Sequence, residues 1–338
     1  MKQIRLLSGL VFLLLLVSCE KDIEFSGEIT EPLLVVNSLA TPDSIITVKV
    51  TESRFFLSNG YTFEPVTDAT VKLFINGVFN QEMEHVSDGI YESDFKPVSG
   101  ERIHLEISAP GFDPVESEVL VPEKTSIISI DTTISLSDSY PMLNGNYYGS
   151  GSNSTIIYDT IGYYYNNEYN ITMNFKDPSE EVNYYRLAVM AKKTFDDGTI
   201  NESYSFFEFT DIVSGNSTAN ENSIFDFQST NNTYNVFSDE LFNGNEYPLK
   251  FKVNQSVINY KPGFEGQGYY ERNPEKVELL IDLQSVSKSY YLYMKTLSSY
   301  TGESNFFSEP VQIHSNIEGG IGIFGSYTRN IKSIVLTP

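Results

Sequence analysis

The chain is poor in the residues that much protein chemistry relies on: it has one cysteine, no tryptophan and three histidines in 338 residues. A lone Cys19 excludes a disulfide framework and any cysteine-paired metal cluster. His85, His104 and His314 are far apart in sequence and none pairs with another at helical ligand spacing, so no metal site is expected. Basic residues are scarce too, 22 Lys and Arg against 45 Asp and Glu, giving a net charge of −23. Such a field repels phosphate backbones, so nucleic acid is excluded as a partner. Beyond the N-terminus no segment is continuously apolar over the roughly 20 residues that a spanning helix needs.

Catalytic motifs are missing as well. The sequence holds no Gly-x-Ser-x-Gly elbow, no His-Glu-x-x-His zinc helix and no cysteine nucleophile, so the chain reads as a non-enzyme that needs no cofactor. Gly320-Ile321-Gly322-Ile323-Phe324-Gly325 matches the dinucleotide fingerprint in letters only. That fingerprint requires a following helix and an acidic residue about twenty positions on, and Pro338 comes first. The expectation there is a bend in which glycines let backbones approach closely. Asp88-Gly89 and Asp196-Asp197-Gly198 lack the alternating oxygens of a calcium loop and read as turns. A glycosidase pair among 45 acids, or a triad of distant residues, has no sequence signature to support it.

What is present begins with Lys2 and Arg5, an apolar run from Leu6 to Val17, and Leu16-Val17-Ser18-Cys19. This order predicts a signal peptide over residues 1–18. Its end resembles the lipobox of bacterial lipoproteins, with Cys19 as the acylated first residue of the mature chain. Loss of Lys2 and Arg5 with that peptide takes the net charge to −25. Residues 19–32 are polar and acidic and read as a lipidated tether, extended by self-repulsion.

Tyr and Phe number 23 each, and with the β-branched residues they favour strands. The predicted fold is mainly β: an immunoglobulin-like β-sandwich over 33–122, then a larger loop-rich β domain over 123–338 with one C-terminal amphipathic helix. A single large β domain is the alternative. In the first unit, apolar or alternating runs at Leu33–Val36, Ile45–Val50, Val71–Ile75, Ile103–Ile107 and Val115–Val121 are separated by turn signals, of which Asn76-Gly77 is the strongest. Alternation in Ile103–Ile107 places His104 and Glu106 together on the outward face. In the second unit strands are expected at Tyr169–Phe175, Tyr184–Lys192, Tyr204–Phe209, Leu249–Val253, Val277–Leu283 and Lys332–Leu336. Ser135–Ser154 reads as a long loop and Ser214–Thr233 as a polar insertion. Val286, Tyr290, Tyr293 and Leu297, with Met294 beside them, predict a helix near 285–299 whose aromatic stripe packs into the core. Tyr147-Tyr148, Tyr163-Tyr164-Tyr165 and Tyr269-Tyr270 offer an aromatic recognition surface for protein, although neighbours in a strand point to opposite faces and packing is the first reading.

Several blocks together resemble a known family: Cys19-Glu20-Lys21-Asp22, Leu34-Val35-Val36-Asn37-Ser38, Ala109-Pro110-Gly111-Phe112, Asn183-Tyr184-Tyr185-Arg186-Leu187, Phe307-Ser308-Glu309-Pro310-Val311, and the stretch from Ser315 to Gly325. They are similar to Bacteroidetes outer-membrane lipoproteins of domain-of-unknown-function family 4249. The resemblance implies a lipid anchor in the outer membrane and an accessory role beside a TonB-dependent receptor that imports a nutrient or metallophore. Lys21 and Asp22, with Glu24 close by, look like the signal that sends such lipoproteins to the cell surface. Asp43-Ser44-Ile45, Asp131-Thr132-Thr133 and Asp159-Thr160-Ile161 look like the short O-glycosylation motif of these bacteria. The functional expectation is a non-enzymatic accessory or ligand-binding module of a TonB-dependent transport system. A surface adhesin or structural lipoprotein is the alternative, and a surface hydrolase ranks last.

Overall fold

Strand periodicity runs through most of the computed structural model, which describes residues 31–55, 62–135, 139–148, 155–178, 181–214, 232–261, 274–300 and 312–336. The expected signal peptide, Cys19 and most of the tether lie outside these residues, as do Tyr269-Tyr270, Phe307–Val311 and most of the Ser214–Thr233 insertion. The first eight strands are β1 (Leu34–Ala40), β2 (Thr47–Glu52), β3 (Thr70–Ile75), β4 (Val78–Glu82), β5 (Glu84–Ser87), β6 (Ile90–Glu92), β7 (Arg102–Ser108) and β8 (Val115–Leu120). Asn76 and Gly77 join β3 to β4 with φ of 51° and 78°, the two positive values that a tight hairpin turn demands. The second set is β9 (Ser126–Ser135), β10 (Ser139–Tyr148), β11 (Thr155–Lys176), β12 (Tyr184–Thr194), β13 (Ile200–Tyr204), β14 (Phe207–Phe209), β15 (Val236–Ser238), β16 (Glu246–Tyr260) and β17 (Lys276–Val286). Helix α1 (Lys288–Ser299) and β18 (Ile321–Leu336) complete it. The chain is mainly β with a single α-helix among the described residues, as composition predicted.

Three expectations are corrected. Ser135–Ser154 is not a loop throughout, because Ser139–Tyr148 is strand β10, paired along its length with β11. Its Ser, Asn, Gly and Tyr residues carry no clean alternation, yet the long neighbour supplies the backbone hydrogen bonds that make it a strand. The last strand starts at Ile321 rather than Lys332, since Gly-rich residues that looked like a bend are held extended by pairing with β1. The helix starts slightly later than expected. Strand β17 runs to Val286, and Ser287 ties the turn to β18 by donating its N–H to the Ser326 carbonyl and accepting the Ser326 N–H at its Oγ.

Strand β18 organises the molecule. Its first half runs parallel to β1 and its second half antiparallel to β17, so one long sheet has the order β13-β12-β17-β18-β1-β2-β6-β5, with β15 also on β12. A four-stranded sheet, β4-β3-β7-β8, encloses the first core with the β1–β2–β6 half. A five-stranded sheet, β10-β11-β16-β14 with β9 on β11, encloses the second core with the β12–β17 half. Phe324 enters the first core and Leu336 the second. Between them Ser326, Thr328 and Asn330 donate side-chain hydrogen bonds to the carbonyls of Leu120, Glu123 and Thr125, at 2.6, 3.3 and 2.8 Å. Strand residues two apart share a face, so the segment linking the two smaller sheets lies along one side of β18. Helix α1 covers the other side, where Tyr290 stands over Gly325 and Tyr327 joins the cluster around Tyr291 and Met294. The first core thus draws Ile317 and Phe324 from the far end of the chain, across the expected boundary at residue 122.

The second core is an aromatic cluster. Phe175, Tyr185, Phe237, Phe242 and Tyr247 meet ring to ring at centroid distances between 4.2 and 6.5 Å, edge-on in every pair that Phe175 makes and tilted or stacked in the others. Each buried ring contributes on the order of 2–3 kcal/mol by removal from water, with a further increment from edge-to-face geometry.

Candidate functional site

Strand β11 is 22 residues long, and only its second half belongs to the sandwich. Residues Glu168–Lys176 pair with β9, and Tyr169, Ile171, Met173 and Phe175 are buried. The first half, with β10 and the end of β16, forms a three-stranded arm that runs past the paired length of β9 and β14. At a strand rise of about 3.3 Å the fourteen residues from Thr155 to Glu168 span roughly 45 Å. Several large side chains on this arm stay in water, although Ile161 is buried: Tyr158 is 62% exposed, Tyr140 57%, Leu143 55% and Ile157 50%, with Ile156, Tyr163 and Tyr164 also exposed. Tyr140 and Tyr164 stand opposite each other across the ladder. Ile156 and Tyr158 lie over Gly145, whose missing side chain gives them room: an added Cβ would meet both at 3.2 Å. Register and alternation place Leu143, Ile156, Tyr158 and Tyr163 on one face of the arm and Tyr140, Ile157 and Tyr164 on the other; scattered exposed apolar residues are ordinary, but Tyr, Ile and Leu grouped on a projecting element have the composition of a contact surface.

A hollow of about 560 Å³ lies where β12 meets β13 and β14, lined by Arg186, Val189, Tyr204, Phe206, Phe207 and Asn232 among others. Phe206 and Tyr204 stand at its rim, 83% and 76% exposed. Arg186 is held by Nε to the Tyr234 carbonyl and by Nη1 to Gln284 Oε1, each at 3.3 Å. Sequence alone did not join Arg186 to the aromatic residues near 204–207; antiparallel pairing of β12 with β13 does so.

Two buried acid networks serve the fold. Asp177 accepts the Tyr185 hydroxyl and the Gly244 N–H, and burial holds its carboxyl above the usual range against the pull of those two hydrogen bonds. The same burial, and then Asp177 itself, pushes the Tyr185 phenol far up. Asp282 accepts Arg329 through both Nε and Nη2, at 3.0 and 2.8 Å, as well as Gln284 Nε2 at 2.8 Å.

On the outer face of the four-stranded sheet, His104 and Glu106 of β7 meet Glu116 of β8. The His104 Nε2 lies 3.7 Å from Glu106 Oε1 and 3.8 Å from Glu116 Oε2. Glu106 and Glu116 are direct cross-strand partners, and Glu116 in turn bridges Glu318 through paired backbone hydrogen bonds. The outward placement of His104 and Glu106 was legible from alternation, whereas Glu116 was missed because strand register is not written in any one segment.

The other singled-out residues have structural places. His85 leans on Tyr91, ring centroids 5.1 Å apart. The His314 N–H donates to Thr296 Oγ1 at 2.9 Å, and burial lowers its imidazole pKa. Asp88-Gly89 and Asp196-Asp197-Gly198 are turns, Asp197 Oδ1 accepting the Thr199 N–H. The glycine block is the close approach that was expected: at Gly322, φ 124°, an added Cβ would sit 2.0 Å from the Val36 carbonyl oxygen, and at Gly325 it would meet Tyr290 and Leu39 within 3 Å. Tyr147 and Tyr148 fall in β10 and Tyr163–Tyr165 in β11, the two strands of the arm. Among the described residues no helix is long and apolar enough to cross a membrane.

No curated protein matches the chain significantly. A crystal structure of a putative membrane anchored protein from Corynebacterium diphtheriae aligns at 8% identity over 78% of this chain and 56% of that one, with a TM-score of 0.20. The chain therefore spans little more than half of that protein. A family model is decisive where structures are not: described as a domain of unknown function, DUF4249, it matches residues 20–333, and the chain belongs to that family.

Proposed function

We propose that the protein is a non-enzymatic binding module, lipid-anchored through Cys19 at the outer membrane and facing the cell surface, that docks on a TonB-dependent receptor through its aromatic arm. The observation that carries this reading is the exposure of Tyr140, Leu143, Ile157 and Tyr158 on a three-stranded projection. Tyr suits that role because it offers a rigid apolar ring with a polar tip, giving contact area at low entropic cost. The acidic tether would hold the folded body off the membrane so that the arm can reach a neighbour. The hollow beside Arg186, with its aromatic rim, favours a second contribution, capture of a small anionic ligand for the transporter.

The test is an affinity pull-down from native membranes in mild detergent, comparing the lipidated protein with Cys19→Ala. A stoichiometric β-barrel receptor recovered with the wild-type chain, and depleted with the unanchored variant, supports the reading. Repeated recovery of the lipoprotein alone contradicts it and favours an adhesin or structural role.

A further inference from the structure

We propose that His104, Glu106 and Glu116 form a binding site for a divalent transition-metal ion of the zinc type. Among the described residues these three bring an imidazole nitrogen and two carboxylate oxygens within 4.8 Å of one another. Two ligands of a tetrahedral zinc ion, each about 2.0–2.2 Å from the metal, stand roughly 3.4 Å apart. The observed 3.7 and 3.8 Å from His104 Nε2 to the two carboxylates are within a few tenths of an ångström of that separation. Rotation of the two glutamates, 47% and 53% exposed, closes the difference without moving the backbone.

The scaffold supports the same conclusion. His104 is the least exposed of the three, at 23%, and its ring packs edge-on against Phe74 at 5.5 Å, which fixes the direction of Nε2. Strand positions give more precise ligand placement than loops. Across the sheet the row reads Lys72, Glu106, Glu116, Glu318, each in register with the next. Three carboxylates in consecutive register destabilise a sheet face, since like charges directly opposite repel. A bound dication removes that repulsion. Arg102 does not serve here, because it is engaged by Glu118 at 2.8 Å. A hollow of about 560 Å³ adjoins the carboxylate side of the cluster, lined by Glu106, Glu116, Glu318 and Lys72 and not by His104, and gives water or an exogenous ligand access from that side. One nitrogen and two oxygens suit a borderline ion over calcium, which takes six to eight oxygens.

The inference is independent of the docking arm, which lies on a different sheet. The experiment is a titration of the full, metal-stripped chain with Zn²⁺ against a chromophoric chelator, together with the visible absorption of bound Co²⁺. One equivalent of Zn²⁺ should bind, with the d–d bands of a Co²⁺ ion held by nitrogen and oxygen. His104→Ala should weaken binding at least about tenfold, since loss of a ligand costs no less than loss of its supporting shell. Glu106→Gln should also weaken it, while Glu118→Gln, on the same face but outside the donor set, should stay within twofold. Circular dichroism of each variant checks that the sheet is retained. Binding that is absent in the wild type, unchanged in His104→Ala, or displaced by equimolar Ca²⁺ would overturn the proposal and leave only the general attraction of an acidic protein for cations.

Discussion

Replacing Phe324 by Ala tests whether β18 welds the two cores into one folding unit. The ring is fully buried in the first core, on the strand whose later residues Ile334 and Leu336 pack into the second. Truncating a buried Phe costs about 3–5 kcal/mol, the larger values belonging to sites that cannot collapse into the void. Collapse is obstructed here: β18 already lies against β1 as closely as glycine permits at Gly322, and Asn316 clamps Phe324 by bonding both its N–H and its carbonyl at 2.9 Å. The cost therefore belongs near the upper end of that range, a large share of the roughly 5–15 kcal/mol that stabilises a typical domain. With a urea slope of about 3 kcal/mol per M, the midpoint should fall by about 1–1.7 M. Far-UV circular dichroism and tyrosine fluorescence, which draws on Tyr91 in one core and Tyr185 in the other, should report one coincident transition at the lower midpoint. A split curve in which only part of the amplitude moves, or a shift below about 0.3 M, would refute the coupling.

Other expectations follow from the same contacts. Residues 33–122 expressed alone lack Ile317, Phe324 and β18, one of the two partners of β1; this fragment should be unfolded or aggregate, and a cooperative thermal transition would count against the shared-strand architecture. Tyr185→Phe leaves Asp177 Oδ1 without its hydroxyl donor and should destabilise by about 1–3 kcal/mol in urea titration. Because burial raises the Asp177 pKa on folding, the native state binds more protons, and this group's contribution to stability is lost as pH rises from the unfolded value near 4 through the raised one. Asp177→Asn should therefore gain on the wild type between pH 4 and neutrality, although its single amide oxygen replaces two acceptors and cannot serve both the Tyr185 hydroxyl and the Gly244 N–H in their present places. Parallel stability–pH curves would show that Asp177 does not titrate as described.

Much of the fold was legible because its cause is local. Alternation located β1, β2, β3, β7 and β8, Asn76-Gly77 announced its hairpin, and the aromatic period announced α1. The burial maximum on the helix falls on Tyr291, Met294 and Ser298, one residue on from the stripe read in the sequence. What the sequence hid is long-range. No local signal tells that Ile321–Leu336 divides its pairing between β1 and β17, or that polar Ser139–Tyr148 is a strand because β11 outruns the sandwich. The candidate sites follow the same rule: the tyrosines were visible, their shared arm was not, and His104 with Glu106 awaited the register that delivers Glu116.

Whether the arm is the docking surface is tested by replacing Tyr140, Ile157 and Tyr158, which cover both of its faces, together by Ser in the lipidated chain and quantifying the receptor recovered from native membranes. These side chains are half or more exposed, so the variant should keep the wild-type thermal transition. At roughly 2 kcal/mol for each interface anchor, receptor recovery should fall at least tenfold. Undiminished recovery with a folded variant would contradict the claim and move the contact elsewhere on the molecule.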